Sequence, residues 1–392
     1  MRDVVILSAA RTPIGSFSGS LASIPAPRLG AVAIGEALRR AKVEPGRVDE
    51  VLMGNVVSAG LGQAPARQAA IYAGIPESVG ATTVNKVCGS GMKAILLGAH
   101  AIQVGAADCI VAGGMESMSG TPYLLPKART GYRMGHAELV DSMILDGLWD
   151  VYSNLSMGVC GEMCAAKFGL TREQQDAYAA QSYSRTWAAQ KAGKFKAEIV
   201  PVEVAGKGGT TLVEEDEDPK RGNLEKLPRL KPAFKADGTI TAASSSGQAD
   251  GAAVCLLMSA EAMRRHGLAP LARIHTIATG ACAPTDLIAS AIPATRRALE
   301  RSALGIGDLA VIEVNEAFAC APLAFMREFG IEDGARVNPN GGACALGHPV
   351  GASGARLVGT TALELRRRGG RYGLATFCGG MGQGAATILE AV

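Results

Sequence analysis

The chain alternates short apolar runs with amphipathic stretches, which is the pattern of an α/β protein. Residues 4–7, 109–112 and 372–377 predict strands, and we expect the Gly-Gly pairs that follow the last two to end them. Residues from 90 to about 104 predict a helix of small and aliphatic side chains. Residues 171–194 predict another helix, with Thr171 as its N-cap.

The same order of elements occurs twice along the chain. Residues 37–51 match residues 298–312 at a constant offset of 261, and each copy predicts a helix, a turn and a strand. Residues 90–93 match residues 353–356 at an offset of 263, and each block opens a helix. Two generic α/β segments could match by chance, but order and offset agree in two separate blocks. We therefore predict two related α/β halves with largely parallel sheets.

One long segment interrupts this repeat. Residues 121–246 have no counterpart in the second half and include the acidic run 214–218. We interpret this segment as an inserted loop domain that covers the first half. The predicted division is therefore an N-terminal half at 1–120, completed by about 247–270, then the insertion, then a C-terminal half at 271–392.

Composition narrows the classes of function. The chain has 392 residues, of which 48% are hydrophobic and 19% charged, and its net charge is +3. That balance argues against a nucleic-acid partner, and no apolar run reaches the ~18 residues of a membrane span. The N-terminus predicts a strand rather than a signal peptide. Nine scattered cysteines without a C-x-x-C pair indicate free thiols in a reducing, cytoplasmic setting.

Cys88 is the first candidate for chemistry, because it lies where a predicted strand end meets a predicted helix start. Free N–H groups and the helix dipole are expected there to stabilise a thiolate and lower the pKa of the thiol. The glycines at 89 and 91 let a substrate approach the backbone. The alternative is a small buried residue in a tight turn.

The repeat adds a second candidate. Cys88 corresponds by offset to residues 349–351, next to His348 in a glycine-rich turn. If the halves pack about a pseudo-twofold axis, the two turns face each other, and an imidazole beside a cysteine activates its thiol. A structural histidine that caps the turn is the alternative.

Two further candidates follow predicted strands. Cys378 ends the last core strand, and the glycines at 379–384 could offer backbone N–H groups as an oxyanion hole. Asn315 follows the strand at 311–314 and could hold a water or an oxygen, or could cap the next helix.

Features that would indicate a metal or a nucleotide are incomplete. Cys160 and Cys164 lie one helical turn apart, but no further ligand completes a metal site. The glycines between 341 and 354 match neither a Walker nor a Rossmann fingerprint. We expect no metal and no redox cofactor.

Five motifs resemble those of the thiolase family, and the resemblance extends over residues 4–389. They are N-K-V-C-G-S-G-M-K-A at 85–94, G-G-M-E-S-M-S at 113–119, N-E-A-F at 315–318, N-G-G-A-C-A-L-G-H-P-V-G-A-S-G-A-R at 340–356 and C-G-G-M-G-Q-G at 378–384. The N-K-V-C form is more similar to acetoacetyl-CoA thiolases than to long-chain degradative ones. The resemblance implies a five-layered α-β-α-β-α core of two duplicated halves with an inserted loop domain, assembled as a homotetramer or dimer.

The resemblance also implies a reaction and its residues. Cys88 would take an acyl group from acetyl-CoA, and His348 would activate it and, with a water held by Asn315, stabilise an oxyanion or enolate. Cys378 would remove the α-proton of a second acetyl-CoA, or activate CoA in thiolysis. The N–H groups of Cys88 and Gly380 would form a second oxyanion hole. Acyl-CoA and CoA would be the only small-molecule partners.

Substrate contacts are implied for a further set of residues. They are Met157, Lys220, Arg221, Ser246, Leu287 and Phe318, with Ser246 at the pantetheine arm and Lys220 or Arg221 near the adenine or phosphates. The chain departs from the family at Ser156, where His is common, at Leu287, where Met is common, and at 288–290, which replace a glycine-rich turn. These departures concern acyl preference rather than the reaction.

Two rival functions remain. A decarboxylating ketoacyl synthase would need a second catalytic His at the position of Asn315. A non-enzymatic acyl-CoA binder would have lost a catalytic Cys or His, and none is lost.

Overall fold

Strands and helices follow one another in the order that the apolar pattern predicts. The computed structural model describes residues 1–206 and 208–392. The strands are β1 (Val4–Arg11), β2 (Gly15–Ser16), β3 (Glu50–Gly54), β4 (Gly80–Val84), β5 (Cys109–Ser117), β6 (Tyr123–Leu124), β7 (Val140–Asp141), β8 (Trp149–Asp150), β9 (Leu155–Ser156), β10 (Val202–Gly206), β11 (Gly209–Val213), β12 (Ala249–Ser259), β13 (Ala272–Ala281), β14 (Leu309–Val314), β15 (Tyr372–Phe377) and β16 (Gln383–Glu390).

The helices alternate with these strands in both halves. They are α1 (Ala26–Ala41), α2 (Pro65–Tyr72), α3 (Ser90–Gln103), α4 (Met157–Lys167), α5 (Arg172–Lys191), α6 (Ala260–Arg265), α7 (Ala291–Ser302), α8 (Cys320–Glu328), α9 (Ala343–Leu346) and α10 (Val350–Arg368). Short 3-10 turns lie at Pro45–Arg47, Lys194–Ala197, Asp218–Arg221, Leu224–Arg229, Pro284–Ala289, Ile306–Asp308, Gly334–Arg336 and Gly380–Gly382, and a π-helical turn lies at Ile144–Leu148.

The duplication is visible in the order of the strands. The main sheet runs β14-β15-β16-β13-β1-β12-β5-β3-β4, so the series β3-β5-β12-β1 corresponds to β14-β15-β16-β13. In each series the first pair is parallel and the next two pairs are antiparallel. Two residues of β1 pair with β13 and join the halves into one sheet. The prediction of two related halves is confirmed, but the prediction of largely parallel sheets is wrong.

Five layers result from where the helices pack. Helices α1 and α2 cover one face of the first half, and α7 and α8 cover the outer face of the second half. Helices α3 and α10 lie between the two halves and pack against each other and against strands of both. On α3 the buried residues Met92, Ile95, Leu96 and Ile102 form one apolar face, and each contributes about 1.5–3 kcal/mol of burial free energy.

One predicted strand end is wrong for a steric reason. Strand β5 does not stop at Gly113 and Gly114 but continues to Ser117. A Cβ on Gly113 would lie 2.2 Å from the Ala253 carbonyl oxygen, and one on Gly114 would lie 1.9 Å from that of Gly351. These glycines therefore allow close backbone contact within the strand instead of ending it.

Residues 121–246 carry α4, α5 and the short hairpins β6-β7, β8-β9 and β10-β11. Helix α5 begins as predicted, because the Thr171 hydroxyl accepts the Gln174 N–H while the Gln174 side chain accepts the Thr171 N–H. It ends at Lys191, three residues before the predicted end.

The N-termini of α3 and α10 meet in backbone contact, which places the two predicted turns together. A Cβ on Gly91 would lie 2.8 Å from the Gly351 carbonyl oxygen, and one on Gly354 would lie 2.6 Å from the Met92 nitrogen. Only glycine fits at these positions, so the turns before the two helices lie side by side.

Candidate active site

A cavity of about 320 Å³ opens at the paired helix starts. Its walls include seven of the predicted site residues, namely Cys88, Met157, Ser246, Leu287, Phe318, His348 and Cys378. The rest of the lining is mainly apolar and includes Met143, Trp149 and Phe234. The structure therefore brings both candidate cysteines and the candidate histidine to one enclosed space.

Cys88 lies in the turn between β4 and α3, just before the first helical residue, Ser90. The preceding residue, Val87, has a φ of +48°, which is strained for a β-branched residue. The Val87 N–H donates to Asn85 Oδ1 at 3.0 Å, and the Ser90 hydroxyl donates to the Val87 carbonyl at 2.6 Å. These bonds fix the turn that presents the thiol.

Burial raises the pKa of the Cys88 thiol, contrary to the lowering that its position at a helix start predicts. The backbone N–H groups of Gly380 and of Cys88 itself act in the opposite direction and lower the pKa, but burial outweighs them, and the charge of Glu116 adds to the rise. The thiol is therefore protonated at rest, and its reaction needs a base that takes the proton.

His348 can act as that base because its hydrogen bonds fix the tautomer. Ser353 Oγ donates to the Pro349 carbonyl at 3.0 Å, so it accepts the Nδ1 proton of His348, 2.6 Å away. The Nε2 atom then carries the lone pair. Burial, followed by the charge of Arg356, lowers the pKa of His348 to about 4, so the ring is neutral at physiological pH.

Asn315 lies directly after β14, and its side chain points to His348. Its Nδ2 is 3.5 Å from His348 Nε2, and its backbone N–H donates to the Thr376 carbonyl at 3.0 Å. In the part of the chain that the structure describes, Asn315 Oδ1 is buried without a hydrogen-bond partner. A buried unpaired oxygen is costly, and a water or substrate donor would satisfy it. The capping alternative is wrong, because α8 begins at Cys320 with Ala319 as its N-cap.

Cys378 follows β15 and is buried beside the first cysteine. Burial, and then the proximity of Cys88, raise the pKa of the Cys378 thiol far above its ordinary value. Gly380 lies outside the cavity wall, but its backbone lies close to the turn of Cys88, and its N–H lowers the pKa of that thiol. A Cβ on Gly380 would lie 2.9 Å from a methyl carbon of Val87, so this close approach needs glycine.

Leu287 belongs to the turn Pro284–Ala289 and packs in the same apolar cluster as Cys378. Ser290, directly after this turn, donates its hydroxyl to the Leu287 carbonyl at 2.6 Å and accepts the Gly379 N–H at 3.1 Å. The turn that lines the cavity is thus tied to the loop that carries Cys378.

Met157 is the first residue of α4, and Ser156 is its N-cap, accepting the Val159 N–H at 3.4 Å. Phe318 meets Phe234 edge to face, with ring centroids 5.8 Å apart. These residues form part of the apolar wall of the cavity, and Phe318 and Met157 pack in the same cluster as Cys378.

Ser246 donates both its N–H and its hydroxyl to the Ala317 carbonyl, each at 3.0 Å, on the wall of the cavity. Lys220 and Arg221 are not brought to the cavity. They lie in exposed ion pairs with Glu215 and Glu217, at 3.1 and 2.7 Å. A contact of either cation with CoA stays a prediction.

Two family profiles cover this chain almost completely. The profile described as thiolase, N-terminal domain matches residues 4–261, and the thiolase C-terminal domain matches residues 268–391. The chain belongs to the thiolase family.

Full-length relatives of this thiolase share one name. This chain is 53% identical to the acetyl-CoA acetyltransferase of Pseudomonas aeruginosa over 391 residues, 99% of both chains. It is 51% identical to the acetyl-CoA acetyltransferase of Cupriavidus necator over 392 residues, 100% of both chains. It is also 51% identical to acetyl-CoA acetyltransferase 2 of Arabidopsis thaliana, over 99% of this chain and 97% of that relative.

Sequence reasoning did not single out several residues of this thiolase's site. Glu116 and Ser353 lie inside quoted motifs, and each carried a usable signal. Glu116 is a carboxylate at the end of an otherwise apolar strand, and Ser353 follows His348 by little more than one helical turn. Trp149 and Phe234 come from the segment 121–246, where no periodic pattern marks them.

The arrangement of possible metal ligands and the length of the apolar helices bear on two further expectations. Within residues 1–206 and 208–392, no three His, Cys, Asp or Glu side chains lie together as metal ligands would. The expectation of a reaction without metal or redox cofactor stays a prediction. No helix in those ranges is both long and apolar enough to cross a bilayer.

Proposed function

We propose that this thiolase is an acetyl-CoA C-acetyltransferase. It joins two acetyl-CoA molecules into acetoacetyl-CoA and CoA, and in reverse it cleaves short 3-ketoacyl-CoA by thiolysis. The observation that carries the proposal is the cavity shared by Cys88, His348 and Cys378, with the Asn315 amide beside the imidazole. The shared name of the full-length relatives supports the same reaction.

Acylation of Cys88 is the first step. His348 Nε2 takes the thiol proton, and the sulfur attacks the thioester carbonyl of acetyl-CoA. The carbon–sulfur bond to CoA then breaks, and the Cys378 thiol donates its proton to the CoA sulfur, so that CoA leaves as a thiol and Cys378 is left as a thiolate. Transfer through a covalent thioester divides one difficult reaction into two easier ones.

Both the attack on a thioester and the loss of an α-proton place negative charge on the thioester oxygen. Two sets of hydrogen-bond donors can stabilise that oxygen. The N–H groups of Cys88 and Gly380 both lower the pKa of the Cys88 thiol, and we assign them to the oxygen of the acyl group that this sulfur carries. A water held by Asn315 Oδ1, together with His348, would serve an enolate oxygen. Preorganised donors of this kind are commonly the largest contribution to such catalysis.

Condensation is the second step, and Cys378 is its base. As a thiolate, Cys378 takes an α-proton from the second acetyl-CoA, whose α-carbon attacks the acetyl group on Cys88. The bond to Cys88 breaks, Cys88 takes back the proton that His348 has held since the first step, and acetoacetyl-CoA is released. The raised pKa of Cys378 makes its thiolate a stronger base, which suits a weakly acidic carbon.

Substrate and partners follow from these steps. We place the pantetheine arm along Ser246, Met157 and Phe318, the acyl group toward Leu287, and the CoA phosphates toward Lys220 or Arg221. Each step is a proton transfer, an acyl transfer between sulfur atoms or the attack of an α-carbon on a thioester, so the proposal includes no metal and no redox cofactor.

Assembly and compartment complete the proposal. We propose a homotetramer, a dimer of dimers, and a cytoplasmic location. Exposed apolar side chains at Tyr123, Met134 and Leu139 support association through the segment 121–246. Nine free cysteines support a reducing compartment.

The proposed function is tested by thiolysis rates for acetoacetyl-CoA, longer 3-ketoacyl-CoAs and 2-methyl-branched ones, with Cys88→Ala as the inactive control. We expect acetoacetyl-CoA to be cleaved with the highest kcat/KM. Turnover of malonyl-CoA with release of CO₂ would favour a decarboxylating synthase instead. Binding of acetoacetyl-CoA without cleavage would contradict an enzymatic function.

A further inference from the structure

Glu116 is a buried carboxylate that the proposed reaction steps do not use. It lies near the end of β5, a central strand that is buried along its whole length, and its side chain is 0% exposed. Burying a carboxylate is unfavourable unless its oxygens accept hydrogen bonds. Its hydrogen-bond partners therefore indicate which parts of the structure the carboxylate keeps in position.

Four donors converge on this carboxylate. Asn55 Nδ2 and the Val57 N–H donate to Oε1 at 2.7 and 3.2 Å. The N–H groups of Val56 and Gly351 donate to Oε2 at 3.0 and 2.9 Å. These donors come from both halves of the molecule. Burial raises the pKa of Glu116 to about 7, but all four partners donate and therefore favour the ionised form.

One of these donors belongs to the helix start next to His348. Gly351 is the second residue of α10, so its N–H is one of the groups that the helix itself leaves free. The N-cap residue, Pro349, provides no side-chain hydrogen bond. Glu116 thus caps α10 from the other half, directly behind the turn that carries His348.

Two other donors belong to residues packed around the nucleophile. Val56 and Val57 form an apolar cluster with Met118 and Val350, and Cys88 packs against it. The carboxylate therefore connects the wall behind Cys88 to the helix start behind His348.

The start of α10 is in close contact with the carboxylate. A Cβ on Gly351 would lie 2.8 Å from Glu116 Oε2 and 2.7 Å from the Met115 carbonyl oxygen. Only glycine at position 351 therefore lets the start of α10 approach the carboxylate closely enough for its N–H to donate at 2.9 Å.

We propose that Glu116 is a positioning residue, whose carboxylate fixes the turn of His348 against the turn of Cys88. It is not a catalytic residue, because it does not line the cavity. This inference rests on the proposed thiolase reaction and adds to it a residue that acts through two others.

The proposal differs from a purely electrostatic role in a measurable way. The negative charge of Glu116 disfavours a thiolate at Cys88. Removing that charge with Glu116→Gln should leave alkylation of Cys88 by iodoacetamide at pH 7 as fast as in the wild type, or faster. Loss of position should lower kcat at the same time, since small misplacements cost up to about 100-fold.

The experiment compares wild type, Glu116→Gln, Glu116→Asp and Asp250→Asn. Asp250 is a matched control, because it is a buried carboxylate on β12 that accepts the Ser119 N–H at 2.9 Å and the Ser119 hydroxyl at 2.5 Å. For each variant we would measure kcat and KM for acetoacetyl-CoA thiolysis, the alkylation rate of Cys88, and Tm.

We expect Glu116→Gln to lower kcat by about 10- to 100-fold, with KM within about threefold of wild type and no slower alkylation. Glu116→Asp should recover part of kcat, and Asp250→Asn should keep kcat within about twofold. A kcat of Glu116→Gln within twofold of wild type would overturn the proposal. So would an equal loss of kcat in Asp250→Asn at similar Tm.

A variant that does not fold and a wild type without activity would each lead to a different conclusion. If Glu116→Gln does not fold, Asn55→Ala removes one donor and keeps the carboxylate. A lower kcat at unchanged KM then supports the proposal, and an unchanged kcat contradicts it. A wild-type enzyme that does not cleave acetoacetyl-CoA at all would instead contradict the proposed function itself.

Discussion

In His348 one ring nitrogen is held by a hydrogen bond and the other is left as a base, and this arrangement governs the chemistry at the scale of single residues. Nδ1–H donates to Ser353, and Nε2 faces the Asn315 amide and is left as the base. Because the ring is buried and neutral, it can take a proton from Cys88 without first losing one.

The tautomer can be tested through Ser353. Ser353→Ala leaves the Nδ1 proton of His348 without an acceptor, so the ring loses its fixed tautomer and orientation. We expect kcat for acetoacetyl-CoA thiolysis to fall about tenfold or more, as general base catalysis weakens. Thr361→Val is the control, because Thr361 makes the same back-bond to a carbonyl of α10, at 2.8 Å, away from His348. Equal activity of the two variants would refute the tautomer assignment.

The low pKa of His348 predicts how stability depends on pH. The unfolded chain binds this proton below pH 6.5, whereas the folded chain binds it only below about 4. Stability from this residue is therefore complete above pH 6.5 and is lost as pH falls toward 4, with a loss of about 2 kcal/mol at pH 5. Urea unfolding of wild type and His348→Asn at pH 7 and 5 measures this difference. An equal pH dependence in both proteins would show that the His348 pKa is not lowered.

The two cysteines should separate into nucleophile and base. Cys378→Ser keeps the Cys88–His348 pair, so it should still take up one acetyl group from acetyl-CoA. Condensation and exchange of α-protons should fall by about 10²–10⁴-fold, the usual cost of a lost acid or base. The measurement is solvent deuterium exchange at the acetyl methyl group beside intact-mass acylation. Exchange at the wild-type rate in Cys378→Ser would reverse the assignment.

At the scale of elements, turns and helix starts determine the shape of the site. The sequence predicted the turn before α3, the capping of α5 and the strand before Cys378. It did not predict that β5 continues through Gly113 and Gly114, because the backbone contacts that require glycine there come from distant parts of the chain. It also did not predict the raised pKa of Cys88, because burial depends on tertiary packing.

Acyl selection should depend on two elements, the start of α4 and the turn Pro284–Ala289. Ser156→His and Leu287→Met should each change the ranking of straight and branched substrates by about 1–3 kcal/mol in relative kcat/KM. Since Ser156 also caps α4, Ser156→Ala is the control and should cost about 1 kcal/mol of stability. An unchanged ranking in both cavity variants would remove these residues from acyl selection.

At the scale of the whole molecule, the internal repeat predicted most of the architecture. Constant offsets indicated two related halves, and the strand series β3-β5-β12-β1 and β14-β15-β16-β13 confirm them. The direction of β12 and β16 could not be predicted, because an apolar run has no preferred direction in a sheet. The offsets matched the α3 and α10 turns to each other, and packing about a pseudo-twofold axis was the condition for their meeting. In the structure the two turns do meet, which is how two sites distant in sequence form one cavity. The proposed domain boundaries stay predictions.

The central claim is that Cys88 carries the acyl group. Incubation with acetyl-CoA, followed by rapid acid quench and intact mass measurement, should show one added acetyl group per chain. Peptide mapping should place it on Cys88, and Cys88→Ser should show none. Acetyl label found reproducibly on another cysteine, with Cys88 unmodified, would contradict this account.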